Sequence, residues 1–441
     1  MKKVVIVGAT KTGISIHKIL ESMEIPHFIV DTREEITFDP TNSKFLISLK
    51  LGMDNTHQAI KEADELYFSP GFNRSRLIVD ESKIKSELNL FLDNSSNFLI
   101  GVTGTNGKST VCYLISQLLD SLNIPNKIIG NFGEPMLDSI HFQDAGLVLI
   151  VELSSFQLKD SSYDNISRDS GLDIGIFTNF SEDHLDNHLS IDDYLEAKRT
   201  IENKIKKKGI YLYHKDSIET HPIRSKKAFS VGLNSTDYHY EVLGLETRFN
   251  SGENLLATTR RKLSKINMDN AMFALAAVNI MTAEKNITYQ KPIHVDFLQF
   301  LKYRMEIVRS DHLLIVNDSK STNPDSTYAA LAEFSNIHEI LILILGGDLK
   351  GLEFKESKLA LNTQSICYIY GKDAPLIYSK LSHNQKILKS SISEVLDDIH
   401  KKNLKKATIL FSPGCSSKDQ FDDYLHRGQS FNNHLKKFGF I

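Results

Sequence analysis

Residues 101–110 read GVTGTNGKST. A glycine-rich turn ending in Gly-Lys-Ser/Thr can cradle phosphate. Backbone N–H groups and a helix N-terminus face the anion, the lysine reaches the outer phosphates, and the hydroxyl serves Mg2+. The usual spacing puts four residues between the first glycine and the Gly-Lys pair, and here that position is Val102, so the general pattern is off by one. The context still suits a phosphate loop. FLIGVTG is an apolar strand, Gly104, Thr105, Asn106 and Gly107 form the turn, and Lys108, Ser109 and Thr110 open a helix. A helix-capping turn is the alternative. The Gly-Lys-Ser-Thr ending after an apolar strand favours nucleotide binding.

Other chemistry-bearing residues fall at strand ends. Glu152 closes LVLIVE, and a carboxylate there is well placed for Mg2+. The segment TNFSEDHLDNH carries His184 and His188 four apart among acidic residues. It suits a metal or acid–base role, a zinc site without a clear third ligand, or polar capping. In SIDDYLEAKRTIENKI the apolar stripe is Ile191, Tyr194, Leu195, Ile201 and Ile205, and Lys198 falls on it. An inward lysine needs a partner or a modification, unless its stem simply snorkels. NDSKSTNPDST places Asp318, Lys320, Thr322 and Asn323 after a strand, and GGDLKG places Lys350 after another, which suggests an anionic ligand. The turn from Gly8 to Gly13 resembles a dinucleotide fingerprint, but Thr10 stands where its middle glycine belongs. That argues against NAD and leaves open a UDP-type ligand or a plain turn.

The elements that must hold these residues form three α/β blocks, 1–94, 95–292 and 293–441. In each, apolar strands alternate with helical patterns, as in parallel sheets. VVIVG, HFIVD and ELYFSPG are strands of the first block, the last running into a turn at Pro70–Gly71. KSTVCYLISQLLDSL is a helix of the second, with Val111, Leu114, Ile115, Leu118, Leu119 and Leu122 on one face. YHYEVLGLETRF reads as antiparallel strands. LLIVNDS, EILILILGGD, SICYIYG, QKILK and ATILFSPG are five strands of a doubly wound third block. The chain has 441 residues, 41% hydrophobic and 24% charged, with net charge −3. That balance gives no reason to expect nucleic acid or an anionic membrane as partner. The lysine run at 204–209 reads as a solvated face. Three scattered cysteines make no disulfide framework, no signal peptide or membrane span is apparent, and a cytoplasmic enzyme fits.

Together these stretches resemble the Mur ligase family over essentially the whole chain. TGTNGKST is similar to that family's own phosphate loop, which accounts for the shifted spacing. VELSSFQL resembles the stretch of its D-glutamate-adding member. NFSEDHLDNH, EAKRTI, NMDNAMFAL, NDSKSTNPDST and SPGCSSKDQFDDYLHRGQSF follow in family order.

The resemblance implies an N-terminal Rossmann-like UDP-binding domain, a central P-loop ATPase domain and a C-terminal Rossmann-like domain for the incoming amino acid. It implies an enzyme that uses ATP to join UDP-N-acetylmuramoyl-L-alanine to D-glutamate through an acyl phosphate, and nothing in the sequence demands more than a monomer. By motif, Lys108 contacts the γ-phosphate, and Ser109 and Thr110 serve the loop and a first Mg2+. Glu152 and His184 hold a second Mg2+, and Lys198 carries a CO2-derived carbamate. Asn270 and Arg304 contact ATP, with Asp318 near the ribose. Asn131 lies near the UDP-sugar, and Thr12, Asp31, Thr32 and Arg33 hold uridine and diphosphate. Lys320, Thr322, Lys350, Ser417 and Tyr424 surround D-glutamate. The chain departs from the family pattern at Lys302-Tyr303 before Arg304, at Ile266-Asn267, and at Tyr424, where relatives carry phenylalanine. Other readings are a ligase for a different acceptor, such as another Mur step or folate polyglutamylation, and a non-catalytic nucleotide-binding protein.

Overall fold

The computed structural model describes residues 2–36, 42–69, 79–140, 146–167, 169–181, 190–217, 223, 225, 227–233, 237–261, 263–359 and 361–441. These form three sheets. The first is parallel and contains β1 (Val4–Val7), β2 (His27–Asp31), β3 (Leu46–Leu51), β4 (Glu65–Phe68) and β5 (Ile84–Lys85), in the order β3-β2-β1-β4-β5. The order reverses between β1 and β4, so the Gly8 turn lies at the switch point where such sheets bind ligands.

The second sheet has ten strands: β6 (Phe98–Thr103), β7 (Asn126–Gly130), β8 (Val148–Glu152), β9 (Leu172–Phe177), β10 (Ile205–His214), β11 (Ala228–Val231), β12 (Tyr238–Leu243), β13 (Glu246–Ser251), β14 (Asn254–Thr259) and β15 (Ile293–His294). Its order is β15-β14-β13-β12-β11-β10-β9-β6-β8-β7, parallel from β7 to β12 and antiparallel at β12–β13 and β13–β14. Every residue of β6 and β8 is buried, as continuous apolar strands covered on both faces require. The helix Lys108–Ser121 lays Val111, Leu114, Ile115, Leu118 and Leu119 against the sheet, each fully buried, while Leu122 is half-exposed past its end.

The third sheet, β16 (Glu306–Ser310), β17 (Leu313–Asn317), β18 (Leu341–Gly346), β19 (Ile366–Tyr370), β20 (Lys386–Leu388) and β21 (Ala407–Phe411), runs β16-β17-β21-β18-β19-β20. It is parallel except for β16 against β17. Phe411 on β21 stacks on Phe431 of the helix Tyr424–Lys437, with ring centroids 4.2 Å apart, and both are fully buried.

Ile293–His294 pairs with β14, so the central sheet takes in two residues of the third block. The described residues form two compact units, 1–180 with 192–262 and 268–298, and 181–191 with 263–267 and 299–441. Most of the first two blocks thus falls in one unit. The stripe around Lys198 is shorter than expected: Tyr194, Leu195 and Ile201 are buried on the helix Ile191–Asn203, but Ile191 is exposed and Ile205 begins β10. The lysine run is only partly a solvated face, because Lys204 is buried and its Nζ donates to Ser161 O at 2.6 Å. The Pro70–Gly71 turn lies outside the described residues.

The helix Glu87–Asn94 carries a buried acid. Ser86 caps it, accepting from Leu88 N at 3.0 Å. Next to the cap, Glu87 is buried and its Oε2 has no partner among the described residues. Burial pushes its pKa from 4.5 up to about 7, against a hydrogen bond from Gln157 and with Asp138 adding to the rise.

Two predictions follow from these interiors. Phe431→Ala, which empties the stack on Phe411, should cost about 3–5 kcal/mol in denaturant unfolding. Glu87 keeps its proton in the folded state between about pH 4.5 and 7, where the unfolded chain releases it, so it makes stability fall as pH rises through that window. Denaturation midpoints of Glu87→Gln should therefore lose that part of the wild-type decline between pH 5 and 7.5. An identical decline in both proteins would remove Glu87 as its source.

Candidate active site

The phosphate-loop turn joins the end of β6 to the helix Lys108–Ser121. Two of its glycines are required by geometry. Gly104 has φ +143°, and a Cβ there would lie 2.0 Å from Thr178 Oγ1. Gly107 has φ +84°, and a Cβ there would lie 2.4 Å from Asn270 Oδ1. The second contact also places Asn270, on the helix Lys265–Glu284, directly against the loop. The segment after β9 holds the turn from the other side. Thr105 N donates to Asn179 O at 2.9 Å and Asn106 N to Asn179 Oδ1 at 2.9 Å, while Thr178 Oγ1 donates to Asn106 O at 2.6 Å.

Two lysines converge on this turn. Lys108 Nζ donates to Gly104 O and Thr105 O, each at 2.8 Å. Lys198 Nζ donates to the same Gly104 O at 2.7 Å and lies 4.5 Å from the centre of the Tyr194 ring. Lys198 is 1% exposed, so its position on the apolar stripe does turn it inward. Two ammonium groups on one carbonyl oxygen concentrate positive charge at the mouth of the loop.

Beside it, β8 runs parallel to β6 with Glu152 opposite Val102. Glu152 is buried. Its Oε1 accepts from Asn131 Nδ2 at 2.8 Å, and its Oε2 has no hydrogen-bond partner among the described residues. The structure therefore brings Gly104, Thr105, Asn106, Gly107, Lys108, Lys198 and Asn270 to one turn. It pairs Asn131 with Glu152 on the neighbouring strand end. Thr110 is buried and Ser109 half-buried in the first turn of the helix. His184 lies outside the described residues.

In the first sheet, Asp31 ends β2. Its carboxylate accepts from Ala9 N at 2.7 Å and from Arg33 Nε at 2.8 Å and Nη2 at 2.7 Å. The Arg33 guanidinium leads the causes that hold the Asp31 pKa down at about 2. Two of the residues expected at uridine thus pair with each other beside the Gly8 turn. Thr12 lies on the helix Lys11–Ser22 and Thr32 just after β2, both half-buried.

The second unit gathers its residues at the C-terminal ends of β17, β18 and β21. Asp318 follows β17. Its Oδ1 accepts from Met305 N at 3.1 Å and its Oδ2 from Ser412 Oγ at 2.8 Å. Burial pushes its pKa up to about 7 in spite of the Ser412 hydrogen bond. Arg304 is half-buried, and its Nε finds no partner among the described residues. Lys320 Nζ sits 4.5 Å from the Tyr424 ring centre. Lys350 N donates to Asp348 Oδ1 at 2.8 Å, Ser417 is buried, and Thr322 is half-buried.

Two supports escaped sequence reasoning. Asn179 lies inside the segment singled out for its histidines, yet it is this amide that braces the phosphate loop. Arg427, fully buried on the helix Tyr424–Lys437, donates to Ser319 Oγ at 3.1 Å, Ser319 O at 2.6 Å, Ser321 O at 3.2 Å and Cys415 O at 2.9 Å. It ties together the loops after β17 and β21. Its position four residues before buried Phe431, on the core side of an amphipathic helix, was the available signal.

Residues 102–278 match the Mur ligase middle domain. A UDP-N-acetylmuramoylalanine–D-glutamate ligase from Buchnera aphidicola subsp. Schizaphis graminum is 31% identical, over 98% of this chain and 97% of that one. A protein of the same name from Vibrio parahaemolyticus is 30% identical over 97% of this chain and 96% of that one. Among solved structures, a MurF ligase from Thermotoga maritima in complex with ADP shares the fold, with a TM-score of 0.59 and 16% identity over 95% of this chain and 96% of that one. With a relative at this identity covering nearly the full length of both chains, the chain belongs to the Mur ligase family.

Proposed function

We propose that this protein is an ATP-dependent amide ligase that adds D-glutamate to UDP-N-acetylmuramoyl-L-alanine in the synthesis of peptidoglycan precursor. The observation that carries the reading is the convergence of Lys108 and Lys198 on Gly104 O beside a buried, half-paired Glu152 carboxylate. The full-length likeness to the D-glutamate ligases named above supports the choice of acceptor.

The chemistry has an electrostatic problem at its centre. A carboxylate is a poor electrophile and must be activated, yet its attack on a triphosphate brings anions together. In the first step the substrate carboxylate oxygen bonds to the γ-phosphorus, the bond from that phosphorus to the bridging oxygen of the β-phosphate breaks, and ADP leaves. The D-glutamate amine then attacks the acyl carbon, the bond from that carbon to phosphate oxygen breaks, and inorganic phosphate leaves as the amine gives up a proton. Lys108 and the backbone N–H groups of Gly104 and Gly107 hold the outer phosphates, in a turn whose Thr105 and Asn106 N–H groups are braced by Asn179. Asn270 and Arg304 position the nucleotide, with Asp318 at the ribose. Lys320, Thr322, Lys350, Ser417 and Tyr424 receive D-glutamate. Asn131 receives the UDP-sugar, whose uridine and diphosphate lie against Thr12, Asp31, Thr32 and Arg33.

The donors around the loop fit a hard divalent cation. Glu152 Oε2 is a buried carboxylate oxygen without a hydrogen-bond partner among the described residues, and Ser109 and Thr110 add hydroxyls in the first turn of the helix. The family motif would add the imidazole of His184 for a second ion. Mg2+ at these residues supplies charge neutralisation on the transferring phosphoryl group. Lys198 gains a distinct role through CO2. The Lys198 ammonium first gives up a proton to solvent, its free amine nitrogen then adds to the carbon of CO2, and a second proton leaves the nitrogen, giving a carbamate anion. That change turns two like charges on Gly104 O into an ammonium–carbamate pair, and it gives a lysine buried on an apolar stripe a reason to be there.

Three measurements test this reading. Phosphate release should require UDP-N-acetylmuramoyl-L-alanine and D-glutamate together, and L-alanine, meso-diaminopimelate or L-glutamate should not replace D-glutamate. Steady ATP turnover indifferent to both substrates would instead indicate a nucleotide-binding protein of another kind. Lys198→Ala should lower kcat by about 10²-fold or more, the scale of losing one charge-stabilising group, with partial recovery on adding short carboxylates. Bicarbonate depletion should slow the wild type and leave Lys198→Ala unchanged. Full activity in the variant would refute the carbamate.

A further inference from the structure

A second cluster of ligating side chains lies in the first sheet, on residues to which the ligase reaction gives no part. His17 and Glu21 stand one turn apart on the helix Lys11–Ser22, and His27 begins β2. One ligand atom from each lies within 4.8 Å of the others. His17 is 6% exposed and His27 fully buried.

The hydrogen bonds fix which ring nitrogens carry protons. His27 Nδ1 lies 2.8 Å from Ile25 O, which can only accept, so Nδ1 is the donor and Nε2 offers its lone pair. His17 Nδ1 lies 2.7 Å from that Nε2 and therefore donates to it. His17 Nε2 then accepts from Ser43 Oγ at 3.1 Å. Burial lowers the pKa of both rings, which favours the neutral form that binds metals. Glu21 is held by Lys44 N at 3.0 Å and Phe45 N at 2.8 Å, and no lysine or arginine side chain pairs with it among the described residues. Two neutral imidazoles thus adjoin a carboxylate without a cationic partner, and the ring nitrogen of His27 turned away from the cluster is anchored to a backbone carbonyl. That anchor is the outer support a metal-binding histidine commonly has.

From this geometry we infer that His17, Glu21 and His27 form a binding site for a borderline divalent transition metal of the Zn2+ class. Two nitrogens and one carboxylate select such an ion over Mg2+, which prefers oxygen donors. The ion takes the place of the proton shared between the rings. His17 transfers that proton from Nδ1 to Nε2, Ser43 Oγ turns from donor to acceptor, and no proton is released. The two nitrogens need to separate only from 2.7 Å to about 3.3 Å, the span of two ligands each about 2.0–2.1 Å from a tetrahedral zinc. A bound ion would staple the helix after the Gly8 turn to β2 and to the segment entering β3.

The test is titration of the full-length, metal-free protein with ZnCl2 by calorimetry in excess Mg2+, together with the visible spectrum of added Co2+. The wild type should bind Zn2+ at a site that raises its thermal midpoint and gives tetrahedral Co2+ bands. His17→Gln and Glu21→Gln should each weaken that binding at least about ten-fold, and Glu152→Gln should retain it. Circular dichroism confirms that each variant is folded, ligase turnover adds the same check for His17→Gln and Glu21→Gln, and Glu21→Gln decides the matter if the histidine variant is not folded. Zn2+ binding equal in wild type, His17→Gln and Glu21→Gln, or lost in Glu152→Gln instead, overturns the assignment.

Discussion

The carbonyl oxygen of Gly104 is the point on which the central site depends. It accepts from Lys108 and Lys198, side chains 90 residues apart in sequence, and so fixes where positive charge gathers. That carbonyl is available because Gly104 adopts φ +143° and lies too close to Thr178 for any side chain. The turn cannot hold this shape alone. Asn179 and Thr178, at the end of a neighbouring strand, take up its N–H and C=O groups, and the parallel register of β6 with β8 and β9 brings those ends level. The sheet's value to the chemistry lies in that alignment of strand ends.

Burial shapes the ionisable groups on either side of this arrangement. Asp318 and Glu87 both lie away from water and both hold their protons to about pH 7. Asp31, ringed by donors, stays ionised down to about pH 2. Three carboxyls of similar chemistry thus behave differently, according to whether their neighbours replace the water they lost. Glu152 has one oxygen compensated by Asn131 and the other left bare, which suits a group that must meet a charged ligand.

Much of this was legible in the sequence. Strands such as VVIV, FLIGVT and LILILG sit where apolar runs between turn residues placed them, because strands covered on both faces leave a continuous signal. The inward turn of Lys198 was legible from helical spacing alone. Weaker signals failed for physical reasons. No residue of β3 is buried, β16 is an antiparallel addition at a sheet edge, and β15 is two residues long, so none carries a strong apolar run. Ile205 looked like the next turn of a helix because a spacing of four ignores where the helix stops. Lys204 looked solvated because a run of lysines says nothing about which one finds carbonyls to bond. Asn179 and Arg427 act through backbone groups, and a backbone partner leaves no mark on the neighbouring sequence.

Arg427 carries a consequence of its own. One guanidinium grips carbonyls on two loops that are far apart along the chain, and its side chain is rooted in a helix that also supplies Phe431 to the core. Helix and loops are therefore geared together. A change that tilts the helix from its far face would shift Ser319, Ser321 and Cys415 in concert, so sequence drift on that outer surface is filtered by the loops it never touches.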